Sequence, residues 1–211
     1  GKTDIAQELY NQILKIDPSH SQALNNIAII FTNLKDYQKA INSYEKAIEI
    51  NPNYANAYYN LGVIFKELKE NQRAKECYEK AIEIDPNYAD AHNNLGIIFN
   101  KLGENQKAIN SYEKAIEINP NYVAAHNNLG IIFNKLGENQ KAKGCYEKAI
   151  KIDPNNATAH WNSHGLSTDI DGALLILKKL YKIDSSHIKS KIMISALEGY
   201  KGDFKRFNEL L

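Results

Sequence analysis

Residues 91–108 read Ala-His-Asn-Asn-Leu-Gly-Ile-Ile-Phe-Asn-Lys-Leu-Gly-Glu-Asn-Gln-Lys-Ala, and the same stretch returns unchanged at 125–142. The offset is 34 residues. The five prolines of the chain keep the same step: Pro18, Pro52, Pro86, Pro120 and Pro154. An alanine column (Ala40, Ala74, Ala108, Ala142), a tyrosine column (Tyr44, Tyr78, Tyr112, Tyr146) and a phenylalanine column (Phe31, Phe65, Phe99, Phe133) run in register with them. A fixed period of this size marks stacked units, each burying its core against its neighbours, and not a single closed globular core.

Each unit reads as two helices. Ala57, Leu61, Ile64, Phe65 and Leu68 fall at helical spacing and give one apolar face. A polar break follows at Lys69-Glu70-Asn71, and a second helical pattern runs through Ala74, Tyr78, Ala81, Ile82 and Ile84. Asp85-Pro86-Asn87 ends it, because proline cannot continue a helix and turns its predecessor away from helical angles. In two units Gly103 and Gly137 occupy the break, where the backbone needs freedom.

The order Tyr58-x2-Leu61-Gly62-x2-Phe65, then Ala74-x3-Tyr78, Ala81 and Pro86, resembles the tetratricopeptide-repeat family, and the period agrees. The resemblance implies an all-α, right-handed superhelical solenoid of antiparallel helix pairs, with about twelve helices and no strand. Gly62, Gly96, Gly130 and Ala28 are small so that the paired helix can come close. Residues 1–20 read as the second helix of a truncated repeat, through Ala6, Tyr10, Ile13 and Pro18. Residues 21–154 carry four repeats, and 155–211 divergent, capping-like repeats. There Trp161-Asn162-Ser163-His164 replaces the Asn-Leu-Gly context, and three residues are missing before a second-helix pattern of Ala173, Leu177, Leu180 and Ile183. Gly202-Asp203-Phe204 reads as a further break.

Composition narrows the function classes. The formal net charge is +1, with lysine and glutamate mixed along the second helices, which describes a solvated face. Only two arginines occur, Arg73 and Arg206, so no nucleic-acid stripe is expected. No apolar run reaches the length of a membrane span. Cys77 and Cys145 lie two units apart, roughly 20 Å by helix-packing distances, which is too far for a disulfide. Thiols of this kind fit a reducing, cytoplasmic setting.

No catalytic constellation emerges, so the chain reads as a non-enzyme without cofactor or metal. There is no phosphate-binding glycine loop, no Cys-x-x-Cys and no Gly-x-Ser-x-Gly. His92, His126 and His160 recur one per unit, roughly 10 Å apart, whereas zinc–nitrogen bonds are about 2 Å. They cannot share a metal, and their column holds Leu24 and Tyr58 elsewhere, so they are expected to pack.

Asn26, Asn60, Asn94, Asn128 and Asn162 recur every 34 residues without exception. In the family the first helices line the concave side, so the resemblance implies a ladder of amides along a groove. It resembles the asparagine ladder in the repeat domains of O-linked N-acetylglucosamine transferases, which holds substrate peptides. A primary amide pairs a donor with an acceptor and suits a peptide backbone. With units about 10 Å apart and an extended strand rising about 3.3 Å per residue, one asparagine would meet every third peptide residue. Ile29, Val63, Ile97 and Ile131 lie one turn on. Tyr59, Asn93 and Asn127 adjoin the ladder, and Lys101 and Lys135 stand at one rim. The expectation is a scaffold that holds a protein or extended peptide in its groove. The alternatives are self-association through ends carrying Ile5, Leu9 and Ile13, or the substrate-targeting arm of a larger transferase.

Overall fold

The computed structural model describes the backbone of residues 2–167 and 169–209 and the side chains of residues 5–167 and 169–199. Among the described residues there are twelve α-helices and no strand. They fall into two compact units, residues 1–118 and 119–211. In the first, α1 (Lys2–Ile16) precedes three antiparallel pairs: α2 (Ser21–Asn33) with α3 (Tyr37–Ile50), α4 (Ala55–Glu67) with α5 (Asn71–Ile84), and α6 (Ala89–Lys101) with α7 (Asn105–Ile118). In the second, α8 (Val123–Lys135) pairs with α9 (Asn139–Ile152) and α10 (Ala157–His164) with α11 (Ile170–Ile183), before α12 (Ile188–Glu209). Within each unit second helices also pack on the next pair, as α3 does on α4, α5 on α6 and α9 on α10. First helices lie beside first helices, α2 by α4 and α8 by α10.

The repeated columns are the core. Ala40, Ala74, Ala108 and Ala142 are fully buried, and so are the rings of Tyr44, Tyr78, Tyr112 and Tyr146. Each glycine of the first helix lies against a tyrosine ring of the second. A Cβ on Gly62, Gly96 or Gly130 would come within 2.8, 2.6 or 2.5 Å of Tyr78, Tyr112 or Tyr146. That is closer than carbon atoms can pack, so the ring dictates the glycine.

The links close by backbone chemistry. After α4, Glu70 N–H donates to Phe65 C=O at 2.8 Å and Lys69 N–H to Lys66 C=O at 3.1 Å. These crossed bonds satisfy the last carbonyls of the helix but demand one left-handed residue. Gly103 and Gly137 supply it at φ 79° and 78°, while Lys35 and Lys69 are held there at 60° and 63°. Above each link a cation covers a phenylalanine ring. Arg73 lies 3.8 Å from the Phe65 centroid, and Phe99 is approached by Lys75 at 5.7 Å and Lys107 at 5.4 Å.

The histidine column packs, as expected, and does so as a latch. The Nε2 atoms of His92, His126 and His160 each lie 3.0 Å from the carbonyl oxygen of Pro86, Pro120 and Pro154, respectively. The side chain thus ties the first helix to the turn that starts its own repeat. Cys77 is buried, which pushes its thiol up to about 12, and neither cysteine forms a disulfide.

Two features of the last repeats differ from the regular ones. α10 has eight residues where α4, α6 and α8 have thirteen. α12 corrects the sequence reading: no break occurs at Gly202-Asp203-Phe204, and the helix continues to Glu209. A lone glycine weakens a helix by roughly 1 kcal/mol and does not by itself end one. The links elsewhere depend on a second helix folding back onto the first.

Candidate functional site

The face of each first helix that pairing leaves open follows from its 3.6-residue turn. Leu61, Ile64 and Phe65 turn inward, so the residues at spacings of four, three and four lie on the other side, all but Asn94 at least partly exposed. On α2 these are Gln22, Asn26, Ile29 and Asn33; on α4, Asn56, Asn60, Val63 and Glu67; on α6, Asp90, Asn94, Ile97 and Lys101. In the second unit α8 presents Ala124, Asn128, Ile131 and Lys135, and the shorter α10 only Thr158 and Asn162. On α2, α4 and α6 the stripe runs from polar through amide to aliphatic. Ile29 and Ile131 are both 38% exposed, which is unusual for isoleucine and leaves an apolar step beside each amide.

The five ladder asparagines share this column but not one environment. Asn26, Asn60, Asn128 and Asn162 are partly exposed, whereas Asn94 is buried to 7%. Asn94 is engaged at both ends of its amide. Its Nδ2 donates to the Tyr59 hydroxyl at 3.1 Å, and its Oδ1 accepts from Lys66 Nζ at 3.2 Å. Asn26 donates to the Tyr10 hydroxyl at 3.2 Å and accepts from Asn25 at 3.3 Å. Asn60 is partly exposed, and its side-chain amide has no hydrogen-bond partner among the described residues. On Asn162 the Nδ2 is buried without a partner.

Around Asn94 the face becomes a polar node. Burial holds the Lys66 ammonium below the usual lysine range; Glu67 opposes this and Lys101 adds to it. Burial, with the charge of Asp90, raises the Tyr59 phenol, and the bond from Asn94 works the other way. The described hydrogen-bond partner of Lys66 is thus a neutral amide. Lys101 and Lys135 are exposed near the ends of α6 and α8, as the sequence placed them.

The neighbouring column is a correction. Asn93 and Asn127 were expected to flank the groove, but they are 5% and 6% exposed, and Asn25 is 5% exposed. The column turns toward the start of the following first helix. Asn127 Nδ2 donates to Asn156 Oδ1 at 3.1 Å, and Asn156 in turn caps α10 by accepting from Ala159 N–H at 2.9 Å. Tyr59 stacks at 4.9 Å on Tyr88, the residue that precedes α6, and Trp161 lies 5.1 Å from His187, just ahead of α12. These residues join one repeat to the next. The sequence carried a signal for this: the column alternates between asparagine and large aromatics, which suits a junction of changing width.

Among the described residues no group of three or more His, Cys, Asp or Glu side chains could hold a metal ion, and no helix is long and apolar enough to cross a membrane. The open face offers amides, aliphatic groups and a few charges.

Models of the tetratricopeptide repeat match residues 55–88 and 123–156, and again 9–42 and 77–110; a further TPR-repeat model matches 30–69 and 96–137. Together they tile residues 9–156. The chain belongs to the tetratricopeptide-repeat family. Its repeats are similar to those in the crystal structure of MamA, at 30% identity and a TM-score of 0.67 over 74% of this chain and 92% of that one. YrrB, described as a TPR protein with an unusual peptide-binding site, shares 23% identity at a TM-score of 0.70, covering 87% and 96% of the two chains. PilF of Pseudomonas aeruginosa shares the fold at 19% identity and a TM-score of 0.77, over 93% and 100%. The Ycf37 protein of Pyropia yezoensis is 42% identical over 45 residues, 21% of this chain, and the match spans a quarter of that protein's length. Tetratricopeptide repeats of this kind serve protein interactions.

Proposed function

We propose that this chain is a polypeptide-binding scaffold that lays an extended segment of a partner across the open face of its first helices. The observation that carries the reading is the register within the first unit. Asn26, Asn60 and Asn94 occupy one place on successive first helices, with Ile29, Val63 and Ile97 one turn on. Amides would pair with the backbone of the segment, and the aliphatic step would take its alternate side chains. The peptide-binding site named for YrrB lies on the same fold and supports the reading as an analogy.

Asn60 is the sharpest probe, because its amide is uncommitted. Asn60→Ala should leave thermal unfolding unchanged and weaken a peptide recovered by pull-down. Each lost neutral bond contributes about 0.5–1.5 kcal/mol, so calorimetric titration should show a drop of roughly two- to tenfold or more. Ile97→Asp should weaken the same peptide further. Full affinity in both variants would remove the face from the mechanism. Self-association is a second reading, favoured by Ile5 and Leu9 on α1, 72% and 55% exposed. Light scattering that gives a monomer at every concentration would dismiss it.

A further inference from the structure

Beyond the shortened end of α10 a cavity of about 440 Å³ opens in the second unit. Its walls come from Lys143 and Ile150 on α9, Leu166 and Ser167 in the link, and Leu175 and Ile176 on α11. The repeat period explains why it is there. Two periods before Ser167 stands Phe99, and two periods before Lys143 stands Lys75. In the first unit those two meet, with Lys75 Nζ 5.7 Å from the Phe99 ring centroid. In the last complete pair the lysine remains and the ring is gone, for the sequence holds no phenylalanine between Phe133 and Phe204.

The second cation over Phe99 is Lys107. Allowing for the three lost residues, its counterpart is Gly172, which also lines the cavity and offers no side chain to fill it. Leu175 does not fill it either, being 73% exposed. The wall carries four charged residues, Lys143, Glu147, Asp169 and Lys179; Asp169 caps α11 by accepting from Gly172 N–H at 2.6 Å. Lys143 has no described ion pair. An apolar cavity of about 150 Å³ is enough to hold benzene, so this one admits a ring together with the atoms that carry it.

We propose that this cavity is a seat for an aromatic side chain, a phenylalanine-type ring presented by a bound polypeptide. The ring lies against Ile150, Leu166 and Ile176 and turns its face to the Lys143 ammonium, which the negative face of the ring attracts. The occupant is a polypeptide side chain because the missing group is one: Lys143 stands in the column of Lys75, which lies over the Phe99 ring in a regular repeat, and Ser167 stands in the column of Phe99 itself. The seat lies apart from the open face of the first helices and does not depend on that face binding anything.

The test is an amide NMR titration of the whole chain with N-acetyl-L-phenylalaninamide, beside its cyclohexylalanine analogue, which has the shape but no aromatic face. The expected result is millimolar binding with shifts at Lys143, Leu166 and Gly172, and weaker binding of the analogue. Lys143→Met should weaken the aromatic probe about two- to fivefold and leave the analogue unchanged. Ser167→Phe should put the column's own ring into the seat and abolish both. If Ser167→Phe fails to fold, the Lys143→Met comparison decides alone. Equal affinity for the two probes, no effect of Lys143→Met, a folded Ser167→Phe that still binds, or shifts centred on Asn60 and Val63 would each overturn the proposal.

Discussion

The pair α6/α7 and the pair α10/α11 are built on the same plan and held by different means. In the first, Gly96 lets the Tyr112 ring in, Phe99 lies under two lysines, and crossed backbone bonds close the link, with Glu104 N–H on Phe99 C=O at 2.9 Å. In the second, His164, Leu177 and Ser167 stand in the glycine, tyrosine and phenylalanine columns. α10 instead begins with a side-chain cap from Asn156 and α11 with one from Asp169, whereas Tyr88 ahead of α6 makes none. In α10/α11 side-chain caps thus add to the packing of Leu174, Leu177 and Leu180, whereas α6/α7 relies on its packing columns and its link. What both keep is the alanine column and the histidine latch; the latch joins the start of a repeat to its own first helix and does not depend on how long that helix runs.

The largest test of this contrast is the phenylalanine column. Phe99→Ala removes a ring that is 7% exposed and should cost about 3–5 kcal/mol. Ser167→Ala at the matching place in the fifth repeat should stay within about 0.5 kcal/mol. Urea unfolding of both variants measures the difference. Equal losses would mean that the link after α10 is packed after all.

The latch should behave alike in both regions. His126→Ala and His160→Ala each take a hydrogen bond from a proline carbonyl, at sites 8% and 3% exposed. Each should cost about 0.5–1.5 kcal/mol, read as a fall in the denaturation midpoint. A loss confined to His126 would show that the fifth repeat does not rely on its latch.

The regular repeats were open to reading because period, helix spacing and small-residue columns report the same packing from three directions. Gly62, Gly96 and Gly130 announced a close approach, and the tyrosine rings make it. The site was less legible. Helical spacing puts the Asn93 and Asn127 column on the edge between two faces, so periodicity alone could not say whether it opens to solvent or meets the next repeat. The Lys66–Asn94–Tyr59 node joins residues 28 and 35 positions apart, and no repeat column encodes it. The cavity was half written: Ser167 in the phenylalanine column marked a missing ring, but only the early end of α10 shows that nothing replaces it.

The smallest expected effects separate the two kinds of link most cleanly. In the regular link Gly103 sits at φ 79°, in the left-handed region, with nothing within 4 Å of where a Cβ would lie. Alanine there is not crowded, but it is strained, by about 1–2 kcal/mol. Gly165, which follows α10, is right-handed at φ −67° and ψ −10°, and its Cβ position is also empty. Alanine at that site fits without strain, and it narrows the unfolded chain, so Gly165→Ala should stabilise by about 0.4–1 kcal/mol. The same substitution therefore changes sign between the two links. Lys69, held at φ 63°, supplies the third case: Lys69→Gly relieves strain and should stabilise slightly, the reverse of Gly103→Ala. Denaturation midpoints of the three variants decide the matter. If Gly165→Ala destabilises, the last link has the geometry of the others, and the contrast between the two kinds of link fails at its simplest point.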